Sequence, residues 1–184
     1  MKFNGKKTTK KQGNSIDILQ ILHSDHQMVA ELFFQFSQSE DDAEQERIVS
    51  EIITQLLVHA QVEEELVYPA VRDGDESAED MMDEADTEHH VVKFLMAELS
   101  EMSAGDDHYK SKVTVLKELV NHHVQEEEKE IFDKLEQSGI DLNELGEAVV
   151  KRKEELKEDP ALLAKTLITS GASRAKTKKR LAHR

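Results

Sequence analysis

HAQVEEELVYP, residues His59 to Pro69, is the stretch that decides how this chain is read. With the residues leading into it, it forms a line of Ile52, Leu56, His59, Glu63 and Leu66, at steps of four, three, four and three. Such steps keep side chains on one face of a helix, the face that would be buried. A histidine and a glutamate in the middle of an apolar stripe are costly to bury unless something binds them.

The same arrangement recurs. HAQVEEELVYPAV from His59 lies over HVQEEEKEIFDKL from His123 at an offset of 64, and the segment starting Asp25-His26 lies over Glu88-His89 at an offset of 63. Matching offsets make helices one and two a unit repeated as three and four. Apolar periodicity predicts a first helix from an N-cap at Ser15 to Phe36 and a second from Glu44 to Tyr68, where Pro69 discourages continuation. Arg72 to Glu76 reads as a turn, the third helix as Glu79 to Met102, and Gly105-Asp106-Asp107 as the next break. The fourth helix runs to Gln137 ahead of Gly139, and a fifth, Leu142 to Glu158, is stopped by Pro160. The expected fold is all-α: an antiparallel up-down-up-down four-helix bundle with an additional C-terminal helix. The organisation follows as a basic disordered tail (1–14), the bundle (15–138), a C-terminal helical extension (139–170) and a second basic disordered tail (171–184).

Each bundle helix carries a histidine at the middle of its apolar seam. Helix one offers Leu19, Leu22, His26, Val29, Phe33 and Phe36; helix three offers Met82, Ala85, His89, Val92, Met96 and Leu99. Helix four offers Val113, Leu116, Val120, His123, Glu127 and Ile131. His23, His90, His108 and His183 fall off these lines and read as surface residues, His90 sharing its line with Asp83, Asp86 and Lys93. His122 is intermediate, with Val115 and Leu119 before it and Glu126 and Lys129 after. A lone core histidine is usually a neutral imidazole with a local partner. Here that explanation must hold four times at repeat-related positions and must also bury Glu63 and Glu127 with no Lys or Arg in the seams. Unpaired buried charge costs several kcal/mol per group, against about 5–15 kcal/mol for a whole domain. A bound cation is the economical explanation.

Composition narrows the alternatives. There is no cysteine among the 184 residues, which removes disulfides, thiolate metal sites and thiol redox chemistry. No apolar run reaches the length of a membrane span, and the basic N-terminal residues lack the apolar core of a secretory signal, so a cytoplasmic location is expected. All 39 acids lie between two basic ends, Lys2 to Lys11 and Arg174 to Arg184. Those ends suggest nucleic acid or an anionic surface only weakly, since they can equally solubilise the chain or fold back on its acidic body. The fifth helix has an apolar line at Leu142, Leu145, Val149 and Leu156, better suited to packing on its own bundle than to a dimer contact; monomer and dimer both remain open.

Four imidazoles and two carboxylates without thiolate suit iron, manganese, zinc or copper, and six ligands are too many for one tetrahedral zinc. Two glutamates can bridge two ions while two histidines cap each. The Glu-x-x-His of ferritin-type carboxylate sites is absent; the order is His-x-x-x-Glu, at His59–Glu63 and His123–Glu127. On these residues, with Asp25-His26, Glu88-His89, the YP after Glu63 and the IF after Glu127, the chain resembles the hemerythrin-like HHE cation-binding family from about Ile16 to Gln137. The resemblance implies a non-haem di-iron centre, oxo- or hydroxo-bridged, held by His26, His59, Glu63, His89, His123 and Glu127, with zinc or manganese as substitutes. It departs from oxygen-carrying hemerythrins, which have a histidine where Lys93 stands and a fourth-helix acid five residues after its histidine. It is closer to the symmetric HHE form.

The function expected is binding or sensing of oxygen, reactive oxygen species, nitric oxide or iron, with a diatomic molecule or peroxide as ligand. Beyond the ligands the seams show no acid–base group, nucleophile or substrate pocket, which weighs against a dedicated enzyme. The alternatives are a peroxide-decomposing or oxidase di-iron enzyme, and a metal-stabilised interaction module acting through its basic tails. Glu64 and Glu128 hold equivalent places in the repeat, where each can receive a ligand histidine's N–H.

Overall fold

The computed structural model describes residues 17–159 and 161–163. The expected basic tails and most of the segment after Pro160 lie outside those residues. The chain is all-α: helix α1 (Ile18–Gln38), α2 (Asp42–Val62), α3 (Tyr68–Gly74), α4 (Glu79–Leu99), α5 (Tyr109–Glu126), α6 (Phe132–Gln137) and α7 (Leu142–Glu158). A π-helical turn, Glu63–Val67, joins α2 to α3, and another, Glu127–Ile131, joins α5 to α6. These composite helices, with α1 and α4, form the antiparallel four-helix bundle. Helix α7 packs on α1 and α2.

Local chemistry sets the helix ends. Asp17, two residues beyond the expected Ser15, caps α1 by accepting the Gln20 N–H at 3.0 Å. Asp41 caps α2 and Asp141 caps α7 in the same way. Gly139, at φ +77°, takes the left-handed conformation that ends α6. The core is aliphatic, and the expected seams of α4 and of the α5–α6 helix are buried throughout.

The second helix differs from expectation in a way that defines the site. It does not stop at Tyr68 but passes through Pro69 to Gly74. In the π turn the Tyr68 N–H reaches back five residues to the Glu63 carbonyl, and the Phe132 N–H does the same to Glu127. Proline lacks an N–H and normally breaks a helix interior, but here it follows a turn that has already shifted the hydrogen-bond register. Asp133 occupies the place of Pro69 in the other repeat, so the wide turn belongs to the repeat rather than to proline. The extra residue also moves the seam: Val67, Tyr68 and Val71 are buried, whereas the expected Leu66 is only partly so.

The repeat is visible as a pseudo-twofold axis between equivalent residues. Gly74 and Ser138, related by the 64-residue offset, meet at the ends of α3 and α6. A Cβ on Gly74 would lie 2.9 Å from that of Ser138.

Candidate metal centre

The structure brings His26, His59, Glu63, His89, His123 and Glu127 together in the middle of the bundle, all buried. Each glutamate opens a π turn, placing both carboxylates at the level of the histidines. His26, His59, Glu63 and Glu127 offer ligand atoms that all lie within 4.8 Å of one another, and so do Glu63, His89 and His123. Glu63 spans the two groups, with Oε1 3.0 Å from His59 Nε2 and Oε2 3.4 Å from His89 Nε2. Glu127 Oε2 lies 3.0 Å from His26 Nε2 and 3.9 Å from His123 Nε2.

Ring orientation is fixed from behind. His26 Nδ1 faces Glu128 at 2.8 Å, His59 Nδ1 faces Asp25 at 3.3 Å, His89 Nδ1 faces Glu64 at 2.9 Å and His123 Nδ1 faces Glu88 at 2.8 Å. The repeat relates these pairs, Asp25 to Glu88 and Glu64 to Glu128. A carboxylate at Nδ1 holds a proton there and leaves Nε2 pointing inward, a lone pair whenever the ring is neutral. The inward Nε2 atoms then approach one another, at 3.2 Å for His26 and His59 and 3.1 Å for His89 and His123. Both carboxylates, at 0 % exposure, have no hydrogen-bond donor among the described residues. Lone pairs and orphaned carboxylates converging in a dry core fit a cation, and the N/O donor set suits iron, manganese or zinc.

Each supporting carboxylate has a basic side chain beside it. Lys93, expected on the surface line of His90, is 6 % exposed and donates to both Glu64 oxygens at 2.6 Å. Lys153 of α7 donates to both oxygens of Asp25. His23 and His122, half or more exposed, lie beside Glu128 and Glu88. His122 thus sits outside the cluster, near Glu88 and Glu126.

The electrostatics follow from burial and these partners. Burial disfavours charge on His59, but Glu63, Asp25 and Glu127 outweigh it and raise its pKa well above the usual range. Burial likewise opposes ionisation of Glu63, which His59 and His89 overcome, holding that carboxyl low. For Glu127, burial and the charge of Glu63 prevail and raise it. Burial lowers His89 despite Glu64.

The sequence reading missed Tyr68. It stacks on His89 with its hydroxyl 3.3 Å from Nε2, and burial together with Glu63 and Glu127 raises its pKa well above the ordinary value. Phe132, its repeat equivalent, stacks on His26 and carries no hydroxyl. The tyrosine was in plain view after Glu63, but only the π turn directs it inward. The four imidazoles also line a cavity of about 30 Å³, walled otherwise mainly by aliphatic side chains such as Val29, Val92 and Val120. That is room for about one water-sized molecule.

Inward imidazoles and buried glutamates inside an antiparallel bundle define the class, a helical-bundle domain that binds metal cations. The chain belongs to the hemerythrin HHE cation binding domain family, whose profile matches residues 17–135. It is similar to a DNA nickase of Nostoc sp., 29 % identical over 119 residues, which cover 64 % of this chain and 33 % of the relative. The chain thus matches about a third of that relative's length. Its fold is shared by a crystal structure of a hemerythrin HHE cation binding domain-containing protein from Mycobacterium kansasii, with a TM-score of 0.72 at 21 % identity, covering 84 % of this chain and 99 % of that one. Among the described residues, no helix is long and apolar enough to cross a membrane.

Proposed function

We propose that the chain is a non-haem di-iron protein that binds or senses oxygen, reactive oxygen species or nitric oxide at a centre held by His26, His59, Glu63, His89, His123 and Glu127. The observation that carries this reading is the convergence of four inward Nε2 atoms on two fully buried carboxylates that have no hydrogen-bond donor among the described residues. Iron, when bound, supplies reversible redox chemistry and affinity for small oxidants. The protein's part is to orient the rings through Asp25, Glu64, Glu88 and Glu128 and to restrict solvent to a small space with an aliphatic wall. The small cavity over the imidazoles admits a water or diatomic molecule and little more.

Peroxide decomposition at the same centre is the second reading, favoured by one observation. The Tyr68 hydroxyl is a proton-bearing group beside His89 that is not itself among the clustered carboxylates and imidazoles. Elemental analysis and the absorption spectrum of protein from iron-supplemented cells test both. Close to two irons per chain, with near-ultraviolet absorption lost in His59→Ala and His123→Ala, supports the centre. Turnover of peroxide that falls in Tyr68→Phe, with iron content unchanged, selects the enzyme. A folded chain that takes up no metal overturns both.

A further inference from the structure

We propose that α7 is a working part of this centre: Lys153 positions Asp25, and through it His59, so that docking of α7 is coupled to loading of the His26–His59 position. The inference rests on the reading that the His/Glu cluster binds metal.

Among the basic side chains beside the supporting carboxylates, Lys153 alone comes from outside the bundle. Lys93, which serves Glu64, belongs to α4; His23 and His122 belong to α1 and α5. Lys153 lies beyond residue 135, where the family match ends. Its ammonium donates to both Asp25 oxygens, one of them at 2.6 Å, while Asp25 Oδ2 faces His59 Nδ1 at 3.3 Å. Both side chains are mostly buried, Lys153 at 15 % and Asp25 at 12 % exposure. A carboxylate this far from water needs its cation. Without Lys153 the favoured course for Asp25 is to turn toward solvent, which leaves His59 Nδ1 with no acceptor.

The neighbouring Arg152 grips the same region, with Nε 2.6 Å and Nη2 3.1 Å from the Glu65 oxygens, inside the π turn that begins at Glu63. Helix α7 therefore holds α1 through Asp25 and the Glu63 turn through Glu65. Its fully buried set is small, Gly146, Val149 and Leu156 in 17 residues, with Leu142 and Leu145 partly buried against the core, and these two ion pairs add to what fixes it. A terminal helix packed on one side of a bundle can open locally without unfolding the rest. Coupling between two binding events is reciprocal: if loading favours the docked helix, the docked helix favours loading by the same factor.

The test is cobalt(II) titration of the full chain, followed by visible absorption, with amide hydrogen exchange of residues 142–158 in the metal-free and loaded states. Loading should slow exchange of α7 about tenfold in the wild type. Lys153→Met should abolish that response and weaken one of the two cobalt positions by about 10- to 100-fold, the usual effect of losing an outer-shell partner. The position of His89 and His123 should keep its affinity, and Lys153→Arg should behave as wild type. Exchange of α7 that ignores cobalt in the wild type, or a Met variant that still responds, overturns the coupling. Equal weakening of both positions would reduce Lys153 to general stability and also overturn it. If the wild type takes up no cobalt, the reading of the centre itself fails, a result distinct from any of these.

Discussion

Lys93 donates to both carboxylate oxygens of Glu64 directly behind His89, with each contact at 2.6 Å. Oxygen-carrying hemerythrins have a histidine at that place, and here the position supports His89 from behind through Glu64 instead. Burial opposes the charge of Glu64, but His89 and Lys93 outweigh it and hold the carboxyl below its usual range. Lys93→Met should leave Glu64 free to turn outward and lower affinity at the His89–His123 position by about 10-fold. The His26–His59 position should be untouched. Competition against a chelator, read on each cobalt equivalent separately, measures this; a loss confined to the other position contradicts it.

Glu127 is the group for which metal-free protein has least use. Burial and the charge of Glu63 raise its pKa, so its ionised form is disfavoured in the folded state. A raised carboxyl contributes stability below its unfolded value of 4.5 and loses it as pH rises through the higher folded value. At neutral pH the metal-free protein therefore bears a penalty that Glu127→Gln removes. The variant should be more resistant to urea than wild type without metal, by about 1 kcal/mol or more, and should hold metal more weakly. A metal-free variant less stable than wild type would show that His26 and His123 already satisfy the carboxylate.

Metal uptake should release protons. His59 is held well above its usual pKa by Glu63 and Asp25 in spite of burial, so metal-free protein keeps a proton there as pH rises past the ordinary value of 6.5. A ligand imidazole must be neutral at Nε2, so metal displaces that proton. Apparent affinity should rise with pH across the neutral range and fall on acidification. Calorimetry in buffers of different ionisation enthalpy reads the protons directly, and His59→Ala should reduce their number. Uptake without proton release at pH 7 would mean that His59 is neutral beforehand.

The clustered histidines were legible in the sequence because each replaces an apolar residue at the centre of a seam, where a polar side chain has no other account. The offsets of 63 and 64 gave the pairing of helices for the same reason. Other features leave no such mark. A π turn adds one residue to a helix, and steps of three and four cannot distinguish it in advance; hence Leu66 was expected inward where Val67 is. Lys93 lies one place beyond the seam residue Val92, where a long side chain can run outward or, as here, carry its ammonium to a buried carboxylate. Lys153 is drawn from the polar face of α7, and periodicity says nothing about which carboxylate of the bundle that face meets.

The close approach of Gly74 and Ser138 tests the axis on which the site is built. Gly74 is the last residue of α3, and a methyl group there would meet the Ser138 Cβ at 2.9 Å. Two effects compete in Gly74→Ala. Alanine favours helix by about 1 kcal/mol over glycine, whereas forcing a methyl into a filled contact costs about 1–3 kcal/mol. Ser138 cannot swing clear, because the offending atom is its Cβ and its hydroxyl is tied to the Leu135 carbonyl at 2.7 Å. The clash should win, and Gly74→Ala should lower stability. Adding Ser138→Gly moves the small residue to the other side of the axis and should recover part of the loss, less whatever the Ser138 hydroxyl contributed. Neighbours in contact show such non-additivity, typically about 0.5–3 kcal/mol. Urea denaturation of the two single variants and the double variant provides the cycle. Strict additivity would mean that the ends of α3 and α6 do not meet in solution, and the axis between Glu63 and Glu127 would lose one of its fixed points.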